Sequence, residues 1–301
     1  MAAAIEVVGL CKRYGDAMAV EDLSFTAAYG RIVGFLGPNG SGKTTTLRTL
    51  LGLIRPSAGT ASIDGRPYAD LRDPVRTVGA LLDGGAAHPG RSGGDHLRVL
   101  ARAADVPDRR VEELLSLVGL EAASDRRVGA YSLGMRQRLG VAVALLGDPR
   151  VLVLDEPANG LDPEGVRWLR DLLRSLATEG RAVLVASHAL AEIAQTVDDI
   201  VVIRDGRSVL QAPLDRLLAE HAAGIRLMGR DAEGLGELLR AEGAHLMTAA
   251  PGTIVVRDRS EEELLSVVAR HQLVISEVSS LGPTLEDIYL ELTAKTRAGS
   301  R

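Results

Sequence analysis

The stretch FLGPNGSGKTTTL, from Phe35 to Leu47, decides the fold of the part of the chain around it. Gly37 is followed by four residues and then by Gly42, Lys43 and Thr44, which is the spacing G-x-x-x-x-G-K-[ST] of a phosphate-binding loop. An apolar, strand-like run precedes the loop and a helix-like run follows it. The pattern therefore predicts a strand, a glycine-rich turn and a helix that together hold the phosphates of a nucleotide triphosphate.

The residue types in this loop match the chemistry of phosphate binding. Backbone N–H groups made accessible by Gly40 and Gly42 can surround an anion, and the helix N-terminus adds a partial positive charge. Lys43 is expected to reach the β- and γ-phosphates, and Thr44 to bind Mg²⁺. The other loop residues expected at the nucleotide are Gly37, Pro38, Asn39, Ser41 and Thr45. The alternative is an ordinary glycine-rich turn between a strand and a helix.

Length and composition predict a soluble intracellular enzyme with more than one folding unit. The chain has 301 residues, more than the roughly 250 at which single cores stop growing, so a large and a small domain are expected. Aromatic residues make up only 3% and the formal net charge is −5, and both argue against nucleic-acid binding. Cys11 has no second cysteine to pair with. Apolar runs fall far below the ~18 residues that span a bilayer, so we expect a cytoplasmic protein that reaches a membrane only through a partner.

Alternating strand-like and helix-like segments over residues 1–215 predict an α/β domain. Its strand-like runs are Ile5–Val8, Ile32–Leu36, Thr77–Leu82, Val151–Leu154, Ala182–Ala186 and Ile200–Ile203. A helix-like passage from Ala212 to Gly224 leads to a second, small α/β unit over residues 222–301. In that unit we expect strands at Ile225–Met228 and Val274–Val278, a helix from Ala232, a hairpin at Pro251-Gly252 and a helix whose capping box is Ser260 with Glu263.

A second chemical signal is the run VLVLDEP over residues 151–157, in which four apolar residues lead into two carboxylates. A fully apolar strand is typical of a buried parallel sheet, and ligand-binding groups gather at the carboxyl ends of such strands. Asp155 is placed to bind Mg²⁺, and Glu156 is the candidate base that orients or deprotonates an attacking water. Taken alone, the run also fits a strand that enters a solvated turn, but the phosphate loop favours the catalytic interpretation.

Over residues 1–215 these motifs and several others resemble the ATP-binding cassette family, in that family's order. Tyr14, in the run Lys-Arg-Tyr-Gly, matches the aromatic residue that stacks on adenine. The run YSLGMRQ at 131–137 resembles the family's signature loop, and NGLD at 159–162 resembles its D-loop. His188, in the run Ala-Ser-His, matches the switch histidine.

The resemblance implies a P-loop NTPase cassette with a mixed sheet, a helical subdomain near residues 84–147, and ATP and Mg²⁺ as bound species. Lys43, Glu156 and His188 are then the catalytic residues. The resemblance also implies a head-to-tail homodimer in which Ser132 and Gly134 of one copy complete the phosphate site of the other. It adds Asp162, in the D-loop, to the nucleotide-binding residues.

Each residue assigned through the resemblance also has a structural alternative. Tyr14 can pack in an N-terminal hairpin, and Ser132 can be an ordinary helix N-cap, which is compatible with presenting N–H groups to a phosphate. His188 can be a satisfied histidine at a strand end, but it follows an apolar run and is expected on the same sheet edge as Asp155. Asp162 precedes a proline, which is a good helix start, and we expect it to serve both roles.

Two departures from the family pattern bear on the site. Asp83 stands where the family usually has glutamine, and because it is shorter by a methylene and charged we expect it to reach Mg²⁺ only through water. Leu133 and Met135 replace the glycine and glutamine that are commonest in the signature loop. With these residues and the tail PTLEDIYLEL at 283–292, the chain most resembles the family's drug- and antibiotic-export branch.

Two functions compete. One is an ATP-hydrolysing subunit that powers export of a small molecule by a separately encoded transmembrane permease. The other is a soluble cassette ATPase that acts on DNA or ribosomes. Export is favoured because the chain has neither the long coiled-coil insertion of DNA-repair relatives nor the second cassette of translation-associated ones. Arg136 and Arg138 are expected on a solvated helix face rather than in a nucleic-acid-binding patch.

Two further segments carry expectations. The stretch DGGAAHPGRSGGD over residues 83–95 is rich in glycine and proline, so it is not expected to form a regular element. The resemblance places it against the membrane partner. The small C-terminal unit has no phosphate loop and no cluster of metal ligands, so we expect it to support the dimer or regulate it rather than to carry catalysis.

Overall fold

The computed structural model describes residues 3–82, 87–189, 193–220 and 224–280, together with Leu285, Ile288 and Tyr289. The chain divides into two compact units, Met1–Leu214 and Asp215–Arg301. Among the described residues, no helix is both long and apolar enough to cross a membrane.

The first unit contains an antiparallel sheet and a mixed sheet. The antiparallel sheet has β1 (Ala3–Tyr14) between β2 (Ala17–Ala28) and β4 (Ala58–Ile63). The mixed sheet has the order β5 (Val78–Leu81), β6 (Val151–Asp155), β7 (Ala182–Ser187), β3 (Ile32–Leu36), β8 (Asp199–Arg204) and β9 (Arg207–Pro213). All of its neighbouring strands are parallel except β8 and β9, which are antiparallel.

Burial explains which strands the sequence revealed. Every residue of β3, β6 and β7 is buried, so these strands are continuous apolar runs and their prediction is confirmed. The sequence analysis missed β2, β4 and β9, and no residue of β9 is fully buried. Most of β4 is exposed or half-buried, and in β2 buried and exposed residues alternate, so neither strand stands out as an apolar run.

The α-helices of the first unit include α1 (Lys43–Leu50), α2 (Pro74–Thr77), α3 (Gly93–Ala103), α4 (Asp108–Leu117), α5 (Leu133–Ala144) and α6 (Pro163–Thr178). In sequence order, helices α3, α4 and α5 lie between β5 and β6. They pack on one another, and Leu97, Val111 and Leu139 are buried. They form the helical part that the family resemblance implies.

The expectation of an irregular segment up to residue 95 is wrong at its end. Gly93 and Gly94 form the first turn of α3, because Ser92 caps the helix and its Oγ accepts a 3.1 Å hydrogen bond from the N–H of Asp95. The cap offsets part of the cost of two glycines in a helix. Residues 83–86 lie outside the described residues.

The second unit alternates strands and helices after α7 (Leu214–Glu220). Its elements are β10 (Ile225–Met228), α8 (Ala232–Ala241), β11 (Leu246–Ala250), β12 (Thr253–Val256), α9 (Glu261–Arg270) and β13 (Glu277–Ser280). The strands form an antiparallel sheet of order β11-β12-β10-β13. This is the βαββαβ arrangement of a ferredoxin-like fold, with Leu227, Leu235 and Leu264 fully buried in its core.

Most expectations for this unit are confirmed, and two are wrong. Helix α8, the hairpin and the capping box of Ser260 with Glu263 are present. Ala212 and Pro213, expected in a helix, end strand β9, because pairing with β8 continues to Pro213. The last strand begins at Glu277 rather than at Val274, which is 56% exposed.

Candidate nucleotide-binding and catalytic site

The glycine-rich loop connects the buried strand β3 to helix α1. Two of its glycines allow a close approach of other backbone: a Cβ on Gly37 would lie 2.3 Å from the carbonyl oxygen of Ile203, and one on Gly42 would lie 2.5 Å from that of Ala19. Gly40 is required for another reason, since its φ of 81° is in the left-handed region. The loop therefore exposes N–H groups in a conformation that larger residues do not allow.

Lys43 folds back into this loop. Its Nζ donates hydrogen bonds to the carbonyl oxygens of Gly37, at 2.7 Å, and Pro38, at 3.2 Å, and lies 3.8 Å from Oε1 of Glu156. Burial lowers the pKa of Lys43, and the carboxylates of Glu156 and Asp155 oppose that shift. The side chain thus places a positive charge at the base of the loop, where an anion would compete with the two carbonyls.

Thr44 and Asp155 bring two oxygen ligands together. The Thr44 Oγ1 donates a 2.7 Å hydrogen bond to Oδ2 of Asp155. Asp155 is the buried last residue of β6, and β7 lies between β6 and β3 in the sheet. Their proximity is a consequence of parallel strands ending at one sheet edge. Asp83, the third expected metal ligand, lies outside the described residues.

Glu156 follows β6 in an unusual conformation. Its φ is 49°, in the left-handed region that side-chain-bearing residues rarely occupy. Its Oε1 lies 2.9 Å from Nδ1 of His188, and its Oε2 accepts a 3.2 Å hydrogen bond from Oγ of Ser187. Ser187 ends β7 and His188 follows it, so the end of the neighbouring strand supplies these two partners of the carboxylate, in addition to Lys43.

The side chains around the loop line one cavity of about 480 Å³. Its lining comprises Ala19, Asn39, Gly40, Gly42, Lys43, Thr44, Thr45, Leu133, Gln137, Asp155, Glu156 and Asn159. Sequence analysis assigned no role to Gln137 or to Ser187. Ser187 directly precedes His188, and this position next to a predicted site residue was a signal in the sequence. Gln137 had no such signal, because its contact with Glu156 joins residues nineteen positions apart.

Eight expected site residues lie outside this lining among the described residues: Tyr14, Gly37, Pro38, Ser41, Ser132, Gly134, Asp162 and His188. Gly37, Pro38 and Ser41 belong to the glycine-rich loop itself, and His188 contacts Glu156, which does line the cavity. Tyr14 is half-exposed at the tip of the β1–β2 hairpin, and Nζ of Lys12 lies 4.9 Å from the centre of its ring. Ser132 caps α5 by accepting a hydrogen bond from the N–H of Met135 at 3.1 Å. Asp162 caps α6 in the same way, from Gly165 at 2.7 Å. Both helix-cap alternatives are therefore present.

The expectation that Arg136 and Arg138 are solvated is wrong. The guanidinium of Arg138 lies over the ring of Trp168, 4.5 Å from its centre, and donates to the carbonyl of Val118 at 3.0 Å. Arg136 donates to the carbonyl of Tyr131 at 2.8 Å. Both side chains are half-buried and stabilise helix packing. Sequence reasoning missed this because Trp168 is distant in the chain.

Comparison with known proteins decides the family. The family described as ABC transporter matches residues 20–159. The chain is 35% identical to the uncharacterized ABC transporter ATP-binding protein YhcH of Bacillus subtilis, over 99% of this chain and 98% of that protein. It belongs to the ABC transporter family, as an ATP-binding protein.

Two other relatives of this ABC protein have more specific names. The bacitracin transport ATP-binding protein BcrA of Bacillus licheniformis is 39% identical over 72% of each chain. The Nod factor export ATP-binding protein I of a Bradyrhizobium strain is 34% identical over 97% of each. Among solved structures, an ATP-binding subunit of an ABC transporter matches with a TM-score of 0.66 and 28% identity, over 72% of this chain and 92% of that one. The chain is thus an ABC ATPase, which binds and hydrolyses ATP, and the family match lies within the first unit.

Proposed function

We propose that this ABC ATPase powers the export of a small molecule through a separately encoded transmembrane permease, on the cytoplasmic face of the cell membrane. The support comes from relatives named for bacitracin transport and Nod factor export, and from the lantibiotic transport ATP-binding protein SrtF of Streptococcus pyogenes, 33% identical over 211 residues. These relatives favour export over action on DNA or ribosomes.

The proposed mechanism of ATP hydrolysis rests on three contacts that lie at one sheet edge. These are Lys43 with the carbonyls of its loop, Thr44 with Asp155, and Glu156 with His188. In the proposed reaction Lys43 binds the β- and γ-phosphates. Glu156 accepts a proton from the attacking water, and His188 contacts the γ-phosphate while it orients that carboxylate.

The donor set of the site fits Mg²⁺. A hydroxyl and a carboxylate are hard oxygen ligands, and Mg²⁺ in phosphoryl-transfer sites usually takes few protein ligands besides phosphate oxygens and water. The described residues contain no group of three or more His, Cys, Asp or Glu side chains that would hold a metal ion by themselves. Thr44 and Asp155 would hold the ion, and Asp83 would reach it through water. Bound there, Mg²⁺ would neutralise charge on the phosphate oxygens.

We propose a head-to-tail homodimer as the working form. Ser132 is exposed at the N-terminus of α5, outside the cavity lining of its own chain, so it is free to meet the nucleotide of a second copy. Gly134 and Asp162 would join it there. Tyr14, half-exposed at its hairpin tip, would stack on the adenine.

Purification of the tagged chain from native membranes in mild detergent tests the export proposal. A polytopic membrane protein that co-purifies, and whose presence raises the ATPase rate, is the expected result. The Lys43→Ala variant is a useful control, because the partner should still co-purify while the activity is lost. Ribosomal proteins or DNA in place of a membrane partner would overturn the proposal.

A further inference from the structure

Gln137 is a buried polar side chain that the reaction described above does not use. It lies in the second turn of α5 and is 2% exposed. Its Nε2 donates a 2.9 Å hydrogen bond to the main-chain carbonyl oxygen of Glu156. The same carbonyl also accepts a 3.1 Å hydrogen bond from the N–H of Asn159. Gln137 therefore contacts the backbone of the candidate base rather than its carboxylate.

The backbone of Glu156 needs such support. A residue with a side chain persists in the left-handed region only where its surroundings hold it there. The N–H of Glu156 donates to the carbonyl of Ala186 in β7 at 2.9 Å, which fixes the peptide before it. The amide of Gln137 fixes the peptide after it. The direction of the carboxylate, toward Ser187 and His188, follows from these two restraints.

We propose that Gln137 is a positioning residue: its amide holds the main chain of Glu156 in the conformation that directs the carboxylate into the nucleotide cavity. The inference rests on the proposed role of Glu156 as the base. It has a consequence for the homodimer, because α5 begins next to Ser132. The segment that is proposed to meet the nucleotide of a second copy is then connected to Glu156, the proposed catalytic base of its own site. The connection is one helical turn and one hydrogen bond.

A purely structural role for Gln137 would be to attach α5 to the rest of the unit. The helix has another attachment, since Arg138 lies over Trp168 and donates to Val118. Gln137→Met keeps the length of the side chain and removes its donor, and it leaves the Glu156 carbonyl with the hydrogen bond from Asn159. No buried acceptor is left without a partner, so the variant should fold.

A double-mutant cycle separates positioning from structure. Gln137→Met should lower kcat by about 10-fold or more while the Kd for ATP, from fluorescent nucleotide binding, changes by less than about 2-fold. In the Glu156→Gln background, single-turnover phosphate release should fall by less than about 2-fold on the same substitution, because the group that Gln137 positions is already gone. Arg138→Met, which disturbs only the attachment of α5, should have the same effect in both backgrounds.

Gln137→Glu, which keeps the size of the side chain, provides a second test. This variant tests the proposal in the event that Gln137→Met does not fold. A carboxylate accepts hydrogen bonds and donates only when protonated, and burial raises its pKa. The activity of Gln137→Glu relative to wild type should therefore be low near pH 8 and rise toward about pH 6. Wild-type kcat in Gln137→Met, equal losses in both backgrounds, or full activity of Gln137→Glu near pH 8 would overturn the inference. Full turnover by Glu156→Gln alone would instead overturn the proposed base.

Discussion

Lys43 contacts its own loop and a carboxylate, and these contacts shape how the loop binds an anion. Its ammonium donates to two carbonyls of the loop and lies near Glu156. Burial lowers the pKa of Lys43, which means that the protein disfavours its charged form. A bound triphosphate supplies negative charge where the two carbonyls supply only dipoles, so nucleotide binding favours the charged form.

Lys43→Ala should weaken ATP binding. A charge-assisted hydrogen bond contributes about 1.5–3 kcal/mol, so we expect the Kd to rise at least about 10-fold. Binding of a fluorescent ATP analogue measures it. Arg109→Ala is the matched control, because it removes a cation from an exposed ion pair with Glu113. An unchanged Kd for Lys43→Ala would contradict the role given to this residue.

His96 should make the stability of the protein depend on pH. It is 8% exposed on α3, and its Nδ1 is buried with no hydrogen-bond partner in the described structure. Burial, followed by the charge of Arg91, lowers the pKa of His96. In the unfolded chain, the imidazole of His96 takes up a proton near pH 6.5, as an ordinary histidine does. The stability is therefore fully present above about pH 6.5 and is lost as the pH falls through the lowered pKa.

The His96→Gln variant tests this dependence. Its Tm should fall less than that of the wild type between about pH 7 and pH 5, because the group that resists protonation is absent. His271→Gln replaces an exposed histidine at the end of α9 and should keep the wild-type slope. Identical slopes for all three proteins would show that His96 does not titrate in this way.

Single residues also show what the sequence could predict. The spacing of the phosphate loop and the carboxylates at the end of an apolar strand are local signals, and the structure places Lys43, Asp155 and Glu156 together. The contacts of Gln137 with Glu156, and of Arg138 with Trp168, join residues far apart in the chain. No local pattern encodes them, because they depend on how α5 packs against the rest of the unit.

At the scale of elements, helix N-termini have two uses in this fold. Ser132 and Asp162 cap α5 and α6, and each is also a residue proposed to meet a nucleotide. A cap satisfies one exposed N–H and leaves the others, and the helix dipole, available to an anion. The sequence predicted both alternatives for each residue, and the helix start alone does not separate them.

The turn that precedes α3 is a defined element rather than a free loop. The N–H of Arg91 donates to the carbonyl of His88 at 3.1 Å, and the carbonyl of Arg91 accepts from Val128 at 2.9 Å. Gly129 donates to the carbonyl of Pro89 at 2.9 Å. These bonds hold the turn against residues 128–129, so its side chains are presented on a fixed backbone.

Charge reversal in this turn should affect coupling to the permease. His88→Glu and Arg91→Glu are expected to lower permease-stimulated ATPase and transport in liposomes several-fold, while the ATP affinity of the isolated subunit stays within about 2-fold. Their side chains lie outside the nucleotide cavity. Arg102→Glu, at an exposed position on α3, is the control. Equal losses of affinity and transport, or no loss in either, would reject the coupling role.

At the scale of the molecule, the proposed chemistry belongs to the first unit. All lining residues of the nucleotide cavity lie within Met1–Leu214, and β9, which completes the mixed sheet, ends at Pro213. The second unit has its own hydrophobic core. The sequence predicted a second unit but not its ferredoxin-like topology, because strand order depends on pairings between distant segments. We propose that this unit supports or regulates the dimer.

A chain that ends at Pro213 should bind ATP with a Kd within about 3-fold of the full chain, because it keeps every paired strand of the mixed sheet and the entire cavity. Circular dichroism establishes that it folds, and fluorescent nucleotide binding measures the Kd. A shortened chain that unfolds cooperatively yet binds no ATP would show that the second unit is part of the nucleotide site.

The central claim is that Glu156 is the base of an ATPase whose two copies enclose ATP, and the Glu156→Gln variant tests it most directly. With ATP and Mg²⁺, the variant should bind ATP like the wild type, release phosphate at least about 10²-fold more slowly, and elute from a size-exclusion column as a dimer. Glu112→Gln, an exposed change on α4, should behave as the wild type. A Glu156→Gln protein that remains monomeric and hydrolyses ATP at the wild-type rate would contradict the account.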